Sequence, residues 1–318
     1  MNYNLINGNI YINNIIEGAA IILDCDGTLV DISESYNACI KHTVGFFLEK
    51  LDNKPWYNFV TDRLIQILRA SGGFNNDIDT SYVCILMALA SKSNSIEDAR
   101  EFAYKIASKS DARGIVSIEE ALSNYDIHYP KSVLNYPSKE SILIRTFDEF
   151  FYGKELFKQI YGIDSNIDHG FIEYDRLIIT NDTLEYLKNK FNDNIAIVSG
   201  RSKIATKYTL KNMINKFNLN ASVFIEDEER NGNKMMSKPS PYSLIRSLEL
   251  MNVNKAICVG DSVEDLLMSK NAKKYGYDIS FIGIYENGLD SNKQLSIFTE
   301  LNADIIIRNV NLLPNVIK

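Results

Sequence analysis

Residues 19–28 read AAIILDCDGT: an apolar run, two aspartates one residue apart, then glycine. A run this short, rich in branched aliphatic residues and bounded by polar ones, is the pattern of a strand buried on both faces. The acids fall where that strand ends. Carboxylates beside a core cost free energy unless something there pairs with them or uses them. Asp-x-Asp-Gly alone is also a common strand-ending turn, so the rest of the chain must decide between a turn and a site.

The same texture recurs at 194–199 (NIAIVS), 221–225 (ASVFI), 255–260 (KAICVG), 279–284 (ISFIGI) and 303–307 (ADIII). Helical patterns lie between these runs. Leu184, Leu187 and Phe191 share one face of 182–192, and residues 202–217 form a second helical stretch. Pro239 and Pro241 open a third, and 262–275 is a fourth. Strands alternating with helices predict an α/β fold with a doubly wound, mostly parallel Rossmann-like sheet.

Residues 33–172 differ. They contain no buried-strand run, and Ile40, Val44, Phe47 and Leu51, then Leu64, Ile67 and Leu68, recur at helical spacing. The expectation is an all-α domain over 33–172, inserted into a core made of 1–32 and 173–318. Within it RASGGFNND (69–77) breaks the helical texture, because paired Gly and Asn favour a tight loop. Trp56 reads as an anchor of this domain's own core, and the histidines His42, His128 and His169 lack ligand spacing.

Composition narrows the class. The chain has 318 residues, 45% hydrophobic and 24% charged, the profile of a globular protein. A net charge of −7 argues against nucleic-acid and anionic-membrane surfaces, though not against an anion held in a pocket. No apolar stretch approaches the roughly 20 residues of a membrane span. The start, MNYNLINGNIYINN, lacks the basic and apolar regions of a signal peptide. Cys25, Cys39, Cys84 and Cys258 are scattered, which fits a reduced, cytoplasmic protein. The acidic run EDEER (226–230) reads as a solvated loop. Oligomeric state is left open.

In an open α/β sheet, ligands sit beyond the C-terminal ends of the strands. Asp24 and Asp26 end the first strand; Ser199, in VSGR, ends the second; Lys238, in SKPSP, follows the third; Asp261 and Asp265, in GDSVED, end the fourth. Four acids, a lysine and a hydroxyl at successive strand ends make a mere turn an inadequate reading. The chemistry that needs such a set is phosphoryl transfer. Spontaneous phosphate-ester hydrolysis is so slow that accelerations of ~10²¹ are required. A carboxylate can attack phosphorus, and a divalent cation shields the two anions from each other. Mg²⁺ prefers oxygen ligands and keeps several waters. Asp24 and Asp261, with the Asp26 carbonyl, can supply its protein ligands. Lys238 adds fixed positive charge, and Ser199 with the N–H groups opening the next helix can donate to phosphate. Asp26, facing away from the metal, can carry the proton for the leaving group. Gly27 suits the turn that swings Asp26 there. Cys25 points away by strand alternation and reads as core.

These residues resemble the haloacid dehalogenase-like (HAD) superfamily. DCDGT is similar to its first motif, SGR to its second, the lysine of KPSP to its third and GDSVED to its fourth. The helical insertion is similar to the C1 cap of that superfamily, and Asp31 in GTLVD fits the same branch. The resemblance implies Asp24 as nucleophile, Asp26 as acid and base, Ser199 with Gly200 and Arg201 as phosphate or substrate ligands, and Lys238 steadying nucleophile and phosphate. It implies Asp261 as direct Mg²⁺ ligand, with Asp265 orienting Lys238 or a metal-bound water. GGFNND, FYGKELFKQIYG and GFIEYDRLIIT resemble an archaeal and plant phosphoglycolate-phosphatase-like subfamily. That resemblance implies a cap loop of Arg69, Gly72, Gly73, Asn75 and Asn76 closing over substrate. The expected function is Mg²⁺-dependent hydrolysis of a small phosphorylated metabolite through an aspartyl-phosphate. A sugar-phosphate mutase with the same core, or a non-catalytic binding module, are the alternatives.

Overall fold

The computed structural model of the protein describes residues 4–6, 9–14, 17–74, 76–230, 234–286 and 291–317. The chain divides into two compact units, Met1–Ile32 with Asp175–Lys318, and Ser33–Tyr174.

In chain order, β1 (Asn4–Ile6) and β2 (Ile10–Ile12) form an antiparallel hairpin, followed by β3 (Ala20–Leu23) and the short β4 (Val30–Asp31). The helical unit contains α1 (Ser35–Asp52), α2 (Asp62–Ala70), α3 (Asp77–Ala90), α4 (Ile96–Ala107), α5 (Ile115–Ala121), α6 (His128–Leu134) and α7 (Ile142–Tyr161). The chain then returns through β5 (Arg176–Leu177), α8 (Asn181–Phe191), β6 (Ile195–Ser199), α9 (Lys203–Leu210), β7 (Val223–Phe224), α10 (Ile225–Arg230) and α11 (Tyr242–Leu250). It ends with β8 (Lys255–Gly260), α12 (Val263–Lys273), β9 (Asp278–Ile284), α13 (Ser291–Glu300), β10 (Ile305–Ile307) and α14 (Leu313–Val316).

The main sheet has the order β1-β2-β10-β9-β8-β3-β6-β7. It is parallel from β10 to β7, with the β1–β2 hairpin added antiparallel to β10. Alternation along each strand feeds two cores. Ile21 and Leu23 join Ile195, Ile197, Ile257 and Val259 under Leu184, Leu187 and Phe191 of α8. Ala20 and Ile22 face the other way, with Ala256, Cys258 and Phe281, against Leu244 and Leu248 of α11 and Leu266 of α12. Each of the Val, Leu, Ile and Phe side chains contributes about 1.5–3 kcal/mol on full burial, which is why the strands read as unbroken apolar runs.

The helical unit is organised around α3. Its residues Thr80 to Ala88 are all buried, as a helix apolar on every side requires. Thr61, Asn76, Ser95 and Ser141 cap α2, α3, α4 and α7 by accepting first-turn N–H groups. Trp56 stacks near Phe59, with ring centroids 6.4 Å apart.

Several expectations need correction. The N-terminal hairpin was not expected, since three-residue strands in an Asn-rich segment carry little periodic signal; β2 is held by Ile10 opposite Ile307 and Ile12 opposite Ile305. The 202–217 stretch is α9 followed by a 3-10 segment, Lys211–Lys216. The acidic run is not a solvated loop: it belongs to α10. In α2 it is Ile65, not Ile67, that is buried with Leu64 and Leu68. Among the described residues, no helix is long and apolar enough to cross a membrane.

Candidate active site

Parallel pairing sets the site. Leu23 stands opposite Ile197 on one side and Val259 on the other, so Asp24 emerges level with the ends of β6 and β8. Its N–H donates to Val259 C=O at 2.9 Å, which ties the residue to β8. A tight loop follows, in which Gly27 N–H donates to Val30 C=O at 2.8 Å and Leu29 N–H to Cys25 C=O at 2.7 Å. Gly27 has φ +72°, and a Cβ there would lie 1.9 Å from Asp261 Oδ2. The first loop therefore wraps against the acid of the fourth strand, and only glycine leaves room for it. Cys25 is buried in the sheet core, as alternation predicted.

Asp24, Asp261 and Asp265 each present a carboxylate oxygen within 4.8 Å of the others. Lys238 Nζ joins them, 2.6 Å from Asp24 Oδ1 and 2.7 Å from Asp265 Oδ1. Asp265 Oδ2 is occupied by the α12 capping box, accepting from Ser262 N–H at 3.2 Å and Ser262 Oγ–H at 2.6 Å. Asp265 is thus fixed by its helix and holds the lysine with its other oxygen. The Asp261 carbonyl accepts from the Gln294 side-chain amide. Asp261 is partly exposed, while Asp24 is 7% exposed.

One ammonium does not balance three acids. Burial, partly offset by Lys238 and reinforced by Asp265 and Asp26, pushes the Asp24 carboxyl up to about 7. Burial, then Asp24 and Asp265, hold Asp261 well above the usual carboxylate range. For Lys238, burial disfavours the charge, but Asp24 and Asp265 outweigh it and raise the ammonium's pKa. The carboxylates are short of positive charge, and an all-oxygen cluster of this size suits a hard divalent cation such as Mg²⁺.

The Asp26 carboxylate is not in that cluster. It turns to Arg201, whose Nη1 donates to Asp26 Oδ1 at 2.9 Å. Burial raises the Asp26 carboxyl, and the guanidinium works against the rise. Arg201 was expected on phosphate or substrate. Instead its side chain is fully buried, and Nη2 donates to Asp175 Oδ2 and, at 3.0 Å, to Thr209 Oγ1. The physical reason is charge: a buried guanidinium demands carboxylate partners.

Ser199, at the end of β6, is also buried, and its Oγ accepts from Arg201 N–H at 3.3 Å. Gly200 is the open point of this turn, with nothing within 4 Å of where a side chain would start. Two of the N–H groups opening α9 already have carboxylate acceptors. Ser202 N–H donates to Glu226 Oε2 at 3.1 Å and Lys203 N–H to Asp227 Oδ2 at 3.0 Å. Two acids of the EDEER run therefore cap α9, favourably placed at the positive end of its dipole.

The proposed cap-loop residues belong to the helical unit. Arg69 Nη2 is 2.7 Å from Asp77 Oδ1 across the loop. Gly72 has φ +79° and open space around it. Gly73 packs against the backbone of Asp111 and Gly114. Asn76 Oδ1 accepts from Ile78 N–H at 2.8 Å and Asp79 N–H at 3.3 Å. Asn75 lies outside the described residues. The Arg69–Asp77 pair and the Asn76 cap tie the end of α2 to the start of α3.

Asp175, Thr209, Glu226, Asp227 and Gln294 were missed by sequence reasoning. Asp175 lies within GFIEYDRLIIT, but no role was read for it there, and Glu226 and Asp227 were marked only by the acidity of 226–230.

This sheet, with its acids at successive strand ends, is that of a hydrolase. The chain belongs to the haloacid dehalogenase-like hydrolase family, whose model matches residues 19–273 and so spans all four motifs. Among solved structures, the phosphatase Tt82 from Thermococcus thioreducens is similar over 88% of this chain and 98% of its own, at 23% identity and TM-score 0.58. A Northeast Structural Genomics Consortium target is similar over 93% of this chain and 97% of its own, at 16% identity and TM-score 0.66. At these identities the likeness is one of fold. No curated protein matches the sequence significantly.

Proposed function

We propose that the protein is a Mg²⁺-dependent phosphatase that hydrolyses a small phosphorylated metabolite through an aspartyl-phosphate on Asp24. The observation that carries this reading is the Asp24 carboxylate, held 2.6 Å from Lys238 inside a cluster with Asp261 and Asp265, while Asp26 two residues on is paired to a different cation. Separate partners support separate roles for the two neighbouring carboxylates.

Asp24, Asp261 and the Asp26 carbonyl would hold Mg²⁺, which supplies charge neutralisation between the attacking carboxylate and the phosphoryl group. Asp24 forms an O–P bond as the ester O–P bond breaks, and Asp26 gives its proton to the leaving oxygen. Water then forms a new O–P bond as the aspartyl O–P bond breaks, and its proton returns to Asp26. Lys238 spreads positive charge over nucleophile and phosphate. Ser199 and Gly200 are assigned to the phosphate oxygens, and Asp265 to the orientation of Lys238. The helical unit, 33–172 in the sequence reading, is assigned as cap, with Arg69, Gly72, Gly73 and Asn75 as its candidate substrate loop. The four free cysteines, all buried, support a reducing, cytoplasmic setting.

The test is phosphate release from a panel of phosphoglycolate, sugar phosphates and nucleotides, with Mg²⁺ and with chelator. Phosphate is expected only with Mg²⁺, without a bisphosphate activator, and acid quenching should trap label on Asp24. Inactivity across the panel with Mg²⁺ present would overturn the reading in favour of a binding module. A strict need for bisphosphate activator would favour the mutase.

A further inference from the structure

Arg201 is the largest fully buried charged side chain among the described residues, and nothing in the proposed reaction yet uses it. Its guanidinium links three segments. Nη2 takes Asp175, immediately before β5, and Thr209 in α9; Nη1 takes Asp26 in the loop after β3. Thr209 Oγ–H also donates to Asp175 Oδ2 at 2.8 Å, which closes a ring of partners at that end. Side-chain exposure runs from 0% at Arg201 and 1% at Asp175 to 24% at Asp26. One end of the fork is therefore sealed in protein, and the other holds a carboxylate that still reaches open space.

A purely structural ion pair has no need of that asymmetry. A guanidinium is planar, and its donors lie in a rigid fork. With Nη2 fixed by a buried carboxylate and hydroxyl, the direction of Nη1 is fixed too, and so is the carboxylate it binds. The backbone of Asp26 is constrained in the same sense, because the loop that carries it closes through Gly27 and Val30. A phosphate-binding role does not suit a side chain with no exposed surface and acceptors already on both terminal nitrogens.

We infer that Arg201 is a positioning residue: anchored by Asp175 and Thr209, it holds the Asp26 carboxylate in one orientation beside Asp24 for proton delivery and water activation. This rests on the reading of Asp26 as acid and base in the proposed phosphatase reaction. A lysine at 201 keeps the charge but cannot span both carboxylates with fixed geometry.

The experiment compares wild type, Arg201→Lys, Arg201→Met, Asp175→Asn and Thr209→Val on phenyl phosphate and on dinitrophenyl phosphate, whose leaving group departs without a proton. On phenyl phosphate, the Arg201 variants should lose about 10²-fold in kcat with KM little changed, the cost of a group displaced by about an ångström. On dinitrophenyl phosphate they should show a burst of one dinitrophenolate per protein and then slow turnover, because only the second half-reaction needs Asp26. In an Asp26→Asn background, Arg201→Met should cost nothing further, since the two act as one unit. If Arg201→Met does not fold, by circular dichroism, Asp175→Asn and Thr209→Val must show the same burst with a smaller loss. Equal losses on both substrates without a burst, unchanged kinetics in all four variants, or an added loss in the Asp26→Asn background would each overturn the inference while leaving the phosphatase reading intact. A wild-type protein without turnover on either substrate removes both.

Discussion

Lys238 Nζ lies 2.6 Å from Asp24 Oδ1 although 214 positions separate them in the chain. The contact exists because β3 and β8 are neighbours and α12 carries Asp265, which holds the lysine from its other side at 2.7 Å. All three side chains are largely buried, so the pairing is both a structural link and the electrostatic centre of the site.

Removing that ammonium should therefore be costly twice over. Lys238→Met leaves Asp24 and Asp265 buried without their cation, and breaking a buried pair from one side typically costs about 3–5 kcal/mol. The expected outcome is a lower urea midpoint together with loss of phosphate release. A variant as stable as wild type would mean that the acids find another partner.

Gly27 offers a sharper test of the metal cluster. Alanine there must adopt a left-handed backbone, at about 1–2 kcal/mol, and its methyl group would overlap Asp261. Gly27→Ala should fold but displace Asp261, so the Mg²⁺ concentration for half-maximal activity should rise at least several-fold. An unchanged Mg²⁺ titration would show that Asp261 is not a ligand.

Gly73 separates packing from specificity in the helical unit. A Cβ at this position would meet Asp111 O at 2.4 Å and Gly114 N at 2.5 Å, both backbone atoms that cannot rotate away. Gly73→Val should lower thermal stability before it alters substrate preference, whereas Gly72→Ala meets no neighbour and bears only the cost of its positive φ. A shifted substrate profile at unchanged melting temperature in Gly73→Val would return the residue to a direct substrate role.

His42 provides a pH-dependent signature. Its ring stands edge-on to Phe150, with centroids 4.5 Å apart, and lies near Tyr57 and Phe171. Burial lowers its pKa, so below its ordinary value near 6.5 the unfolded chain takes up a proton that the folded chain declines. Stability conferred by the neutral ring is thus present above that pH and lost as the pH falls toward the folded value. Urea unfolding at pH 7.5 and pH 5 should show a smaller acid-side loss in His42→Phe than in wild type. Identical losses would show that His42 is charged in the fold.

The sequence alone marked Asp24, Asp26, Ser199, Lys238, Asp261 and Asp265 as site candidates and predicted the parallel sheet whose strand ends bring Asp24, Lys238, Asp261 and Asp265 together. Each lies at or just beyond the end of an apolar run, or opens a helix after one, and parallel strands bring such ends to one edge whatever the length of chain between them. Burial on both faces is written locally, in alternating side chains that all must be apolar. Partner choice is not local. That Arg201 turns inward to Asp26 and Asp175, that Glu226 and Asp227 cap α9, and that Gly27 makes room for Asp261 were decided only by the tertiary structure. A charged side chain can face solvent or a buried counter-charge with equal local propriety, and which it meets depends on distances between segments that no local pattern encodes.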